Sequence, residues 1–203
     1  EIIEFNFFFI MSQEHPLETP WTFYYFQRPP PNSPDMNYEE SIHKIGKVYT
    51  CEQFWSIYSH IIHPDKLPVT IALHLFRGDS RAMWEDPENR NGGSFLIRLQ
   101  KGQVNFFWEK LLLSLIGEQF PSDVNGAAVS VRSKGDLLYI WHRTASDEAV
   151  RLEICRTLWK ELNLPVKTKI DYSPFTDMLS SNQAKSQIQY ILESDGPVMK
   201  VST

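Results

Sequence analysis

The chain has 203 residues, of which 42% are hydrophobic and 22% charged, and these proportions are typical of one globular domain. Its formal net charge of −5 excludes a protein that grips long stretches of nucleic-acid backbone, because such binding requires clustered lysine and arginine. A site for one short anionic ligand remains compatible with this charge.

The segment over 1–14, EIIEFNFFFIMSQE, is predicted to be an extension outside the folded domain. Its apolar run is too short to span a bilayer, and it lacks the basic flank and the cleavage site of a signal peptide. We therefore expect a domain over 15–173 without membrane attachment. The expected location is the cytoplasm, with the nucleus left open as a second one.

The first half of the domain contains aromatic and aliphatic runs separated by segments rich in turn-forming residues. The segment RPPPNSPDMN is predicted to be a loop, because proline fixes the backbone and lacks an amide donor. Thr50 is placed to cap a helix whose apolar residues recur at helical spacing. The predicted elements are strands over 21–27, 41–50, 69–76 and 94–99 and a helix over 51–62.

The second half adds two helices and a hairpin. The helix over 104–120 is apolar almost all the way round and needs cover on two sides. From Pro174 onward the Ser, Asn and Gln content predicts a loop and a flexible tail over 174–203. Hairpins combined with separate helices predict an α+β fold with a single curved sheet and helices on one face. The other elements are a hairpin over 126–144, a helix over 146–163 and a strand over 166–172.

The two cysteines, Cys51 and Cys155, lack the spacing of a CxxC motif or of a Cys/His zinc site. We expect two buried thiols in a reducing compartment and no disulfide. No other set of metal ligands accompanies them, so neither a metal nor a cofactor is expected.

Several aromatic residues fall in loops or at strand ends, where one ring face can stay open. Nucleobases stack on such faces for roughly 1–3 kcal/mol each. Glu85 follows Trp84 directly, and a carboxylate accepts the two parallel N–H donors on the N1 and N2 edge of guanine. This loop favours a cationic guanine, whose charge strengthens the stacking. Trp84 folded over the core, with solvated carboxylates beside it, remains the alternative. The aromatic residues are Trp21, Tyr38, Trp84 and Trp141.

Six collinear motifs resemble the eukaryotic mRNA cap-binding family, translation initiation factor 4E. They read HPLETPW, TCEQFWSIYSHI, MWEDPENRNGG, WEKLLLSLIGEQF, GAAVSVRSKGD and IWHRTASDEA, and the resemblance extends from His15 to about Tyr172. It implies a curved antiparallel sheet with three helices on its convex face and 7-methylguanosine bound in the concave mouth. It also implies a protein that binds capped mRNA in translation initiation and is not an enzyme.

The resemblance assigns a role to each pocket residue. Trp84 forms one side of an aromatic sandwich around the base, and Glu85 accepts hydrogen bonds from N1 and N2. Trp141 approaches the N7 methyl group. Arg132 matches an arginine that binds phosphate, and Lys134 lies close behind it on the hairpin.

Four positions depart from the initiating members of the family. Tyr38 replaces the tryptophan on the other side of the sandwich, and Tyr24 replaces a second early tryptophan. These two changes resemble the 4E-homologous second class, which is often associated with translational repression. Ser94 and Leu137 stand where basic residues help to hold the phosphates, so we expect weaker cap binding and a selective, repressive regulator.

A second surface is predicted on the helix over 51–62. A helical wheel places Trp55 about 100° from Phe54, at the edge of the buried arc, where its ring can be half exposed. The resemblance implies a convex groove here for a partner helix with a Tyr-x4-Leu-hydrophobic motif, from an initiation scaffold or a 4E-binding repressor. Packing of Trp55 against the second helix is the alternative. The matching residues are His15, Pro16, Cys51, Trp55 and Leu113.

Two other functions remain open. An interaction scaffold would keep the fold and the Trp55 groove but have a degenerate cap pocket. A nucleotide hydrolase would use the acidic residues near Trp84 together with His74, although neither a nucleophile–base motif nor a glycine-rich phosphate loop accompanies them. These acidic residues are Asp79, Glu85, Asp86 and Glu88.

Overall fold

The computed structural model describes residues 14–29, 38–176 and 187–202. Within these ranges nine strands form one antiparallel sheet in the order β2-β1-β3-β5-β6-β4-β7-β8-β9. The strands are β1 (Pro16–Gln27), β2 (Ile42–Thr50), β3 (Ile71–Arg77), β4 (Gly93–Leu99), β5 (Val124–Ser130), β6 (Asp136–His142), β7 (Lys169–Pro174), β8 (Gln187–Glu193) and β9 (Gly196–Ser202). The helices are α1 (Cys51–Tyr58), α2 (Val104–Ile116) and α3 (Glu148–Leu162), with short 3-10 helices at Tyr38–Ser41 and Pro64–Lys66.

The sheet has one face covered by helices and one open face, and β6 shows the division. Leu138 and Ile140 are fully buried in the main core, which also contains Trp108 of α2. Tyr139 and Trp141 alternate with them along the strand and line a cavity on the other face. The predicted α+β fold, a curved antiparallel sheet backed by three helices, is confirmed.

Helix α1 is shorter than the sequence predicts. Its start is correct, because the Thr50 side chain accepts a hydrogen bond from the Gln53 amide at 3.2 Å. The helix ends at Tyr58 and does not reach residue 62. Ser59 Oγ donates to the Trp55 carbonyl at 2.6 Å, and such side-chain bonds to the last turn compete with further helical bonds.

The prediction of a loop and flexible tail over 174–203 is wrong for residues 187–202. Strand β8 pairs with β7, and β9 pairs with β8, so both belong to the same sheet as the rest of the domain. Tyr190 and Leu192 are fully buried, at the period of two that a half-buried strand requires. Residues 177–186 of the predicted tail and residues 1–13 of the predicted extension lie outside the described residues.

Among residues 14–29, 38–176 and 187–202, no helix is long and apolar enough to cross a membrane.

Candidate functional site

A cavity of about 330 Å³ opens on the sheet face away from the helices. This volume is sufficient for a small-molecule ligand. Four of the residues predicted for the pocket line it, and the sequence reasoning missed others. The predicted ones are Tyr38, Trp84, Arg132 and Trp141, and the missed ones include Arg28, His74, Tyr139 and Phe175.

Tyr38 and Trp84 face each other across the mouth of this cavity. Their ring planes are 6° from parallel, their centroids lie 6.3 Å apart, and their exposed fractions are 46% and 38%. A flat base between them requires a separation of about 7 Å, twice the optimal carbon contact distance of about 3.5 Å. The distance between the planes cannot exceed the distance between the centroids, so the pair must open by at least about 0.7 Å to accept one base.

A buried asparagine forms hydrogen bonds to the backbone of the loop that carries Trp84. Asn89 is 0% exposed, and its Nδ2 donates at 2.8 Å to the carbonyls of both Arg81 and Met83. Its Oδ1 accepts from Asn125 Nδ2 of β5 at 2.7 Å. Arg81 also ties the loop to the Tyr38 segment by an ion pair with Glu39 at 2.5 Å. These bonds fix the relative positions of the two rings.

Trp141 lies between two supporting aromatic rings. Phe175 is 4.4 Å away between centroids, and Phe76 meets the indole edge-on at 5.5 Å. The Phe175 amide donates to the Gly92 carbonyl at 2.9 Å. Gly92 is required here, because a Cβ would come within 1.9 Å of the His142 carbonyl oxygen. The Gly-Gly pair thus allows β4 to pack beside the strand of Trp141.

Glu85 and Lys134 are the two residues predicted for the pocket that are absent from the cavity lining. Both side chains are exposed, and neither lines the cavity. The Glu85 carboxylate accepts a hydrogen bond from the indole N–H of Trp84, its chain neighbour. Glu85 is nevertheless close enough to help raise the pKa of Tyr38, a shift caused first by burial of the phenol.

One end of the cavity is cationic. Arg132 and Arg28 both line it, and Tyr139 lies in the same lining. Burial lowers the pKa of the Arg132 guanidinium, and the charge of Arg28 lowers it further. The Arg132 Nη1 group donates to the Val69 carbonyl at 3.3 Å. This end favours an anionic group.

His74 on β3 is a buried polar residue in the wall of the cavity. It is 4% exposed, and its Nδ1 is buried without a hydrogen-bond partner. Its ring stacks on Phe26, 12° from parallel with centroids 6.4 Å apart. Burial lowers the pKa of His74 to about 4, so the imidazole is neutral at neutral pH. A neutral ring does not repel a cationic ligand.

Besides Tyr38, three positions depart from the initiating family members. Two of them, Ser94 and Leu137, lie on the strands beside the cavity, and the third, Tyr24, is buried. Ser94 lines the cavity and pairs with Trp141 across the β4–β6 ladder. Leu137 alternates with buried residues of β6 and lies on the same face as Tyr139. Tyr24 is buried, and Trp21, which the sequence reasoning considered open, is 0% exposed in the core. Trp21 and Tyr24 therefore pack inside the protein and present no open ring face.

The acidic residues near Trp84 do not converge on one centre. Asp79 pairs with Lys47 at 2.7 Å, and Asp86 lies 3.5 Å from Arg81. Glu88 pairs with Arg143 at 2.8 Å. Within the residues that the structure describes, no three His, Cys, Asp or Glu side chains are grouped to hold a metal ion.

Trp55 and Leu113 are exposed apolar residues on neighbouring helices. Trp55 of α1 is 45% exposed, as the helical wheel predicts, and meets Tyr58 edge-on at 5.8 Å. Glu109 of α2 is near enough to Tyr58 to raise its pKa, after burial as the main cause. Leu113 lies one turn beyond Glu109 and is 38% exposed. The proximity of Tyr58 to Glu109 thus places α1 near α2.

The residues around the start of α1 are tied to the first strand. The His15 side chain pairs with Glu52 at 2.7 Å, and the His15 carbonyl accepts from the Cys51 amide at 2.9 Å. Pro16 is exposed and opposes Thr50 in the β1–β2 ladder. Hydrogen bonds from the His15 amide and then from its ring lower the pKa of Glu52 to about 2. Cys51, expected to be buried, is only partly buried because it begins α1 at the surface.

Residues 16–190 match the protein family described as eukaryotic initiation factor 4E. The chain belongs to this family. Eukaryotic translation initiation factor NCBP of Triticum aestivum is 37% identical over 172 residues, which cover 84% of this chain and 74% of that protein. Eukaryotic translation initiation factor 4E-4 of Caenorhabditis elegans is 36% identical over 170 residues, or 83% and 80% of the two chains.

Solved structures of the 4E family share this fold. C. elegans eIF4E-3, in a complex with the 4E-binding protein Mextli and a cap analog, has a TM-score of 0.76 and 29% identity, covering 85% of this chain and 99% of its own. A schistosome eIF4E complexed with m7GpppG and 4E-BP has a TM-score of 0.75 and 30% identity, with coverages of 86% and 96%.

Proposed function

We propose that this chain binds the 7-methylguanosine cap of mRNA and regulates translation initiation in the cytoplasm. The observation that carries the proposal is the parallel Tyr38–Trp84 pair, with centroids 6.3 Å apart at the mouth of a partly cationic cavity. Two parallel rings bind a flat base by stacking, and they attract a cationic base more than a neutral one. Arg132 at the same cavity supplies a phosphate contact.

Family membership supports the same function. Relatives of similar fold were solved as eIF4E proteins with cap analogs and 4E-binding proteins. We infer that Trp55 and Leu113, together with His15, Pro16 and Cys51, receive such a partner helix on this chain. Binding alone accounts for this activity, and the dispersed carboxylates near Trp84 support a binding protein over an enzyme.

We further propose that the chain is a selective, repressive regulator. The phenol of Tyr38 offers a smaller stacking face than an indole, and Leu137 cannot contact a phosphate. A weak cap binder competes poorly for ordinary messages. A partner docked near Trp55 and tethered to one transcript would raise the effective concentration of the cap.

Retention on immobilised 7-methyl-GTP tests the cap-binding proposal. The full chain should be retained and should elute with free 7-methyl-GTP but not with GTP. The Trp84→Ala variant, which removes an exposed stacking face, should pass through while its circular dichroism spectrum stays unchanged. A wild type that passes through but still captures a Tyr-x4-Leu peptide would favour the scaffold function, and turnover of a capped dinucleotide would favour the hydrolase.

A further inference from the structure

The cationic end of the cavity contains one arginine more than the sequence reasoning assigned to it. Arg28 follows β1 and Arg132 follows β5, yet both side chains line the same cavity, with Tyr139 of β6 in the lining beside them. The Arg28 amide donates to the Thr70 carbonyl at 2.7 Å, so its backbone is fixed against the segment that leads into β3.

Among the described residues, no acidic side chain pairs with either of these two arginines. Four other arginines each pair with a carboxylate. Over the ranges 14–29, 38–176 and 187–202, neither Arg28 nor Arg132 has such a partner. The paired arginines are Arg77, Arg81, Arg98 and Arg143.

Arg28 and Arg132 are near enough to repel each other. The charge of Arg28 contributes to the lowered pKa of Arg132, after burial. The charges of Arg132, Arg98 and Arg28 all act on the Tyr139 phenol. Like charges near each other repel, and an anion placed between them relieves the repulsion.

We propose that Arg28 is a second phosphate-binding residue, which acts with Arg132 as a clamp on the phosphate chain of the ligand. This inference rests on the proposed function, because it assigns a part of the same ligand to this end of the cavity. The clamp places a basic group at the end of β1, away from Leu137 on β6. Guanidinium groups suit this role because they bind phosphate oxygens in bidentate fashion.

Affinities for a phosphate series test the clamp. The full chain is titrated with 7-methylguanosine, 7-methyl-GMP and 7-methyl-GTP by tryptophan quenching at constant ionic strength. The Arg28→Gln variant should bind 7-methyl-GTP about tenfold more weakly than wild type and 7-methylguanosine equally well, as expected for loss of a charge-assisted hydrogen bond. Its affinity for 7-methyl-GTP should also depend less on salt.

Arg156→Gln is the matched control. It removes the same charge from an exposed arginine of α3 that does not line the cavity, so its affinities should match those of wild type. If wild type binds the phosphate series but Arg28→Gln binds 7-methyl-GTP as tightly, the clamp is wrong and cap binding stands. The clamp is also wrong if Arg28→Gln weakens all three ligands equally. A wild type that binds none of the three contradicts the proposed function itself.

Discussion

Burial of His74 in the cavity wall keeps its imidazole neutral at neutral pH, because its pKa falls from 6.5 to about 4. Between these values the unfolded chain binds a proton that the folded chain excludes. The contribution of His74 to stability is therefore intact above pH 6.5 and is lost as the pH falls toward 4.

We predict that a His74→Leu variant lacks this loss of stability. Relative to the variant, wild type should lose up to about 3 kcal/mol of unfolding free energy between neutral pH and pH 4. Urea unfolding of both proteins at pH 7, 6, 5 and 4 measures the difference, and the carboxylates common to both cancel. Parallel stability curves would show that folding does not lower the pKa of His74.

Side chains at the site were predictable where their chemistry is local to the sequence. Trp84 and Tyr38 belong to segments whose motifs indicate an open ring, and the structure brings the two rings face to face. Glu85 was assigned by its chemistry and by the family resemblance, and sequence cannot show that the neighbouring indole N–H donates to one of its carboxylate oxygens. Arg28 was missed because it precedes Arg132 by 104 positions in the chain. The fold places both arginines at the cavity, and no local sequence signal indicates such a long-range arrangement.

At the scale of elements, the Trp84 loop depends on Asn89 beneath it. The side chain of Asn89 supplies two hydrogen bonds to the loop backbone and accepts one from Asn125. Preorganisation of the ring pair spares the ligand the cost of ordering this loop on binding.

We predict that Asn89→Ala weakens 7-methyl-GTP binding about tenfold and lowers the unfolding free energy by about 1–3 kcal/mol, because Asn125 loses its buried partner. Asn91→Ala is the control, since that side chain is exposed on the same loop. Fluorescence titration and urea unfolding measure both effects. Equal affinities of the two variants would mean that the loop holds its conformation without Asn89.

The elements themselves were predictable wherever hydrophobic periodicity is strong. α2 is apolar almost all round, as a helix covered on two sides must be, and α3 begins at an acidic cap, Asp147. The polar composition around residue 181 led to the prediction of a tail. The alternation of polar and apolar residues in QIQYILE is the signal of β8. The end of α1 depends on single side-chain bonds, which composition does not reveal.

For the whole molecule, two surfaces lie on opposite faces of one sheet. The cavity with Trp84 is on the open face, and Trp55 and Leu113 are on helices that cover the other. A domain with this arrangement can hold a cap and a partner helix at the same time.

We predict that Trp55→Ala abolishes binding of a Tyr-x4-Leu-hydrophobic peptide while 7-methyl-GTP affinity changes less than about twofold, because Trp55 is on a helix outside the cavity and its ring is 45% exposed. Val198→Ala, an exposed position on β9 at the far edge of the sheet, is the control and should bind both ligands normally. Calorimetric titration with each ligand provides the comparison. Retained peptide binding in Trp55→Ala would place the partner surface elsewhere.

Selection of a cationic guanine by the Tyr38–Trp84 pair is tested most directly by calorimetric titration of the wild type with 7-methyl-GTP and with GTP. The two ligands carry the same phosphates, so their difference isolates the charge and methyl group of the base. We predict that 7-methyl-GTP binds at least about tenfold more tightly, because stacking on Tyr38 and Trp84 gains cation–π attraction. Equal dissociation constants for the two nucleotides would contradict the account.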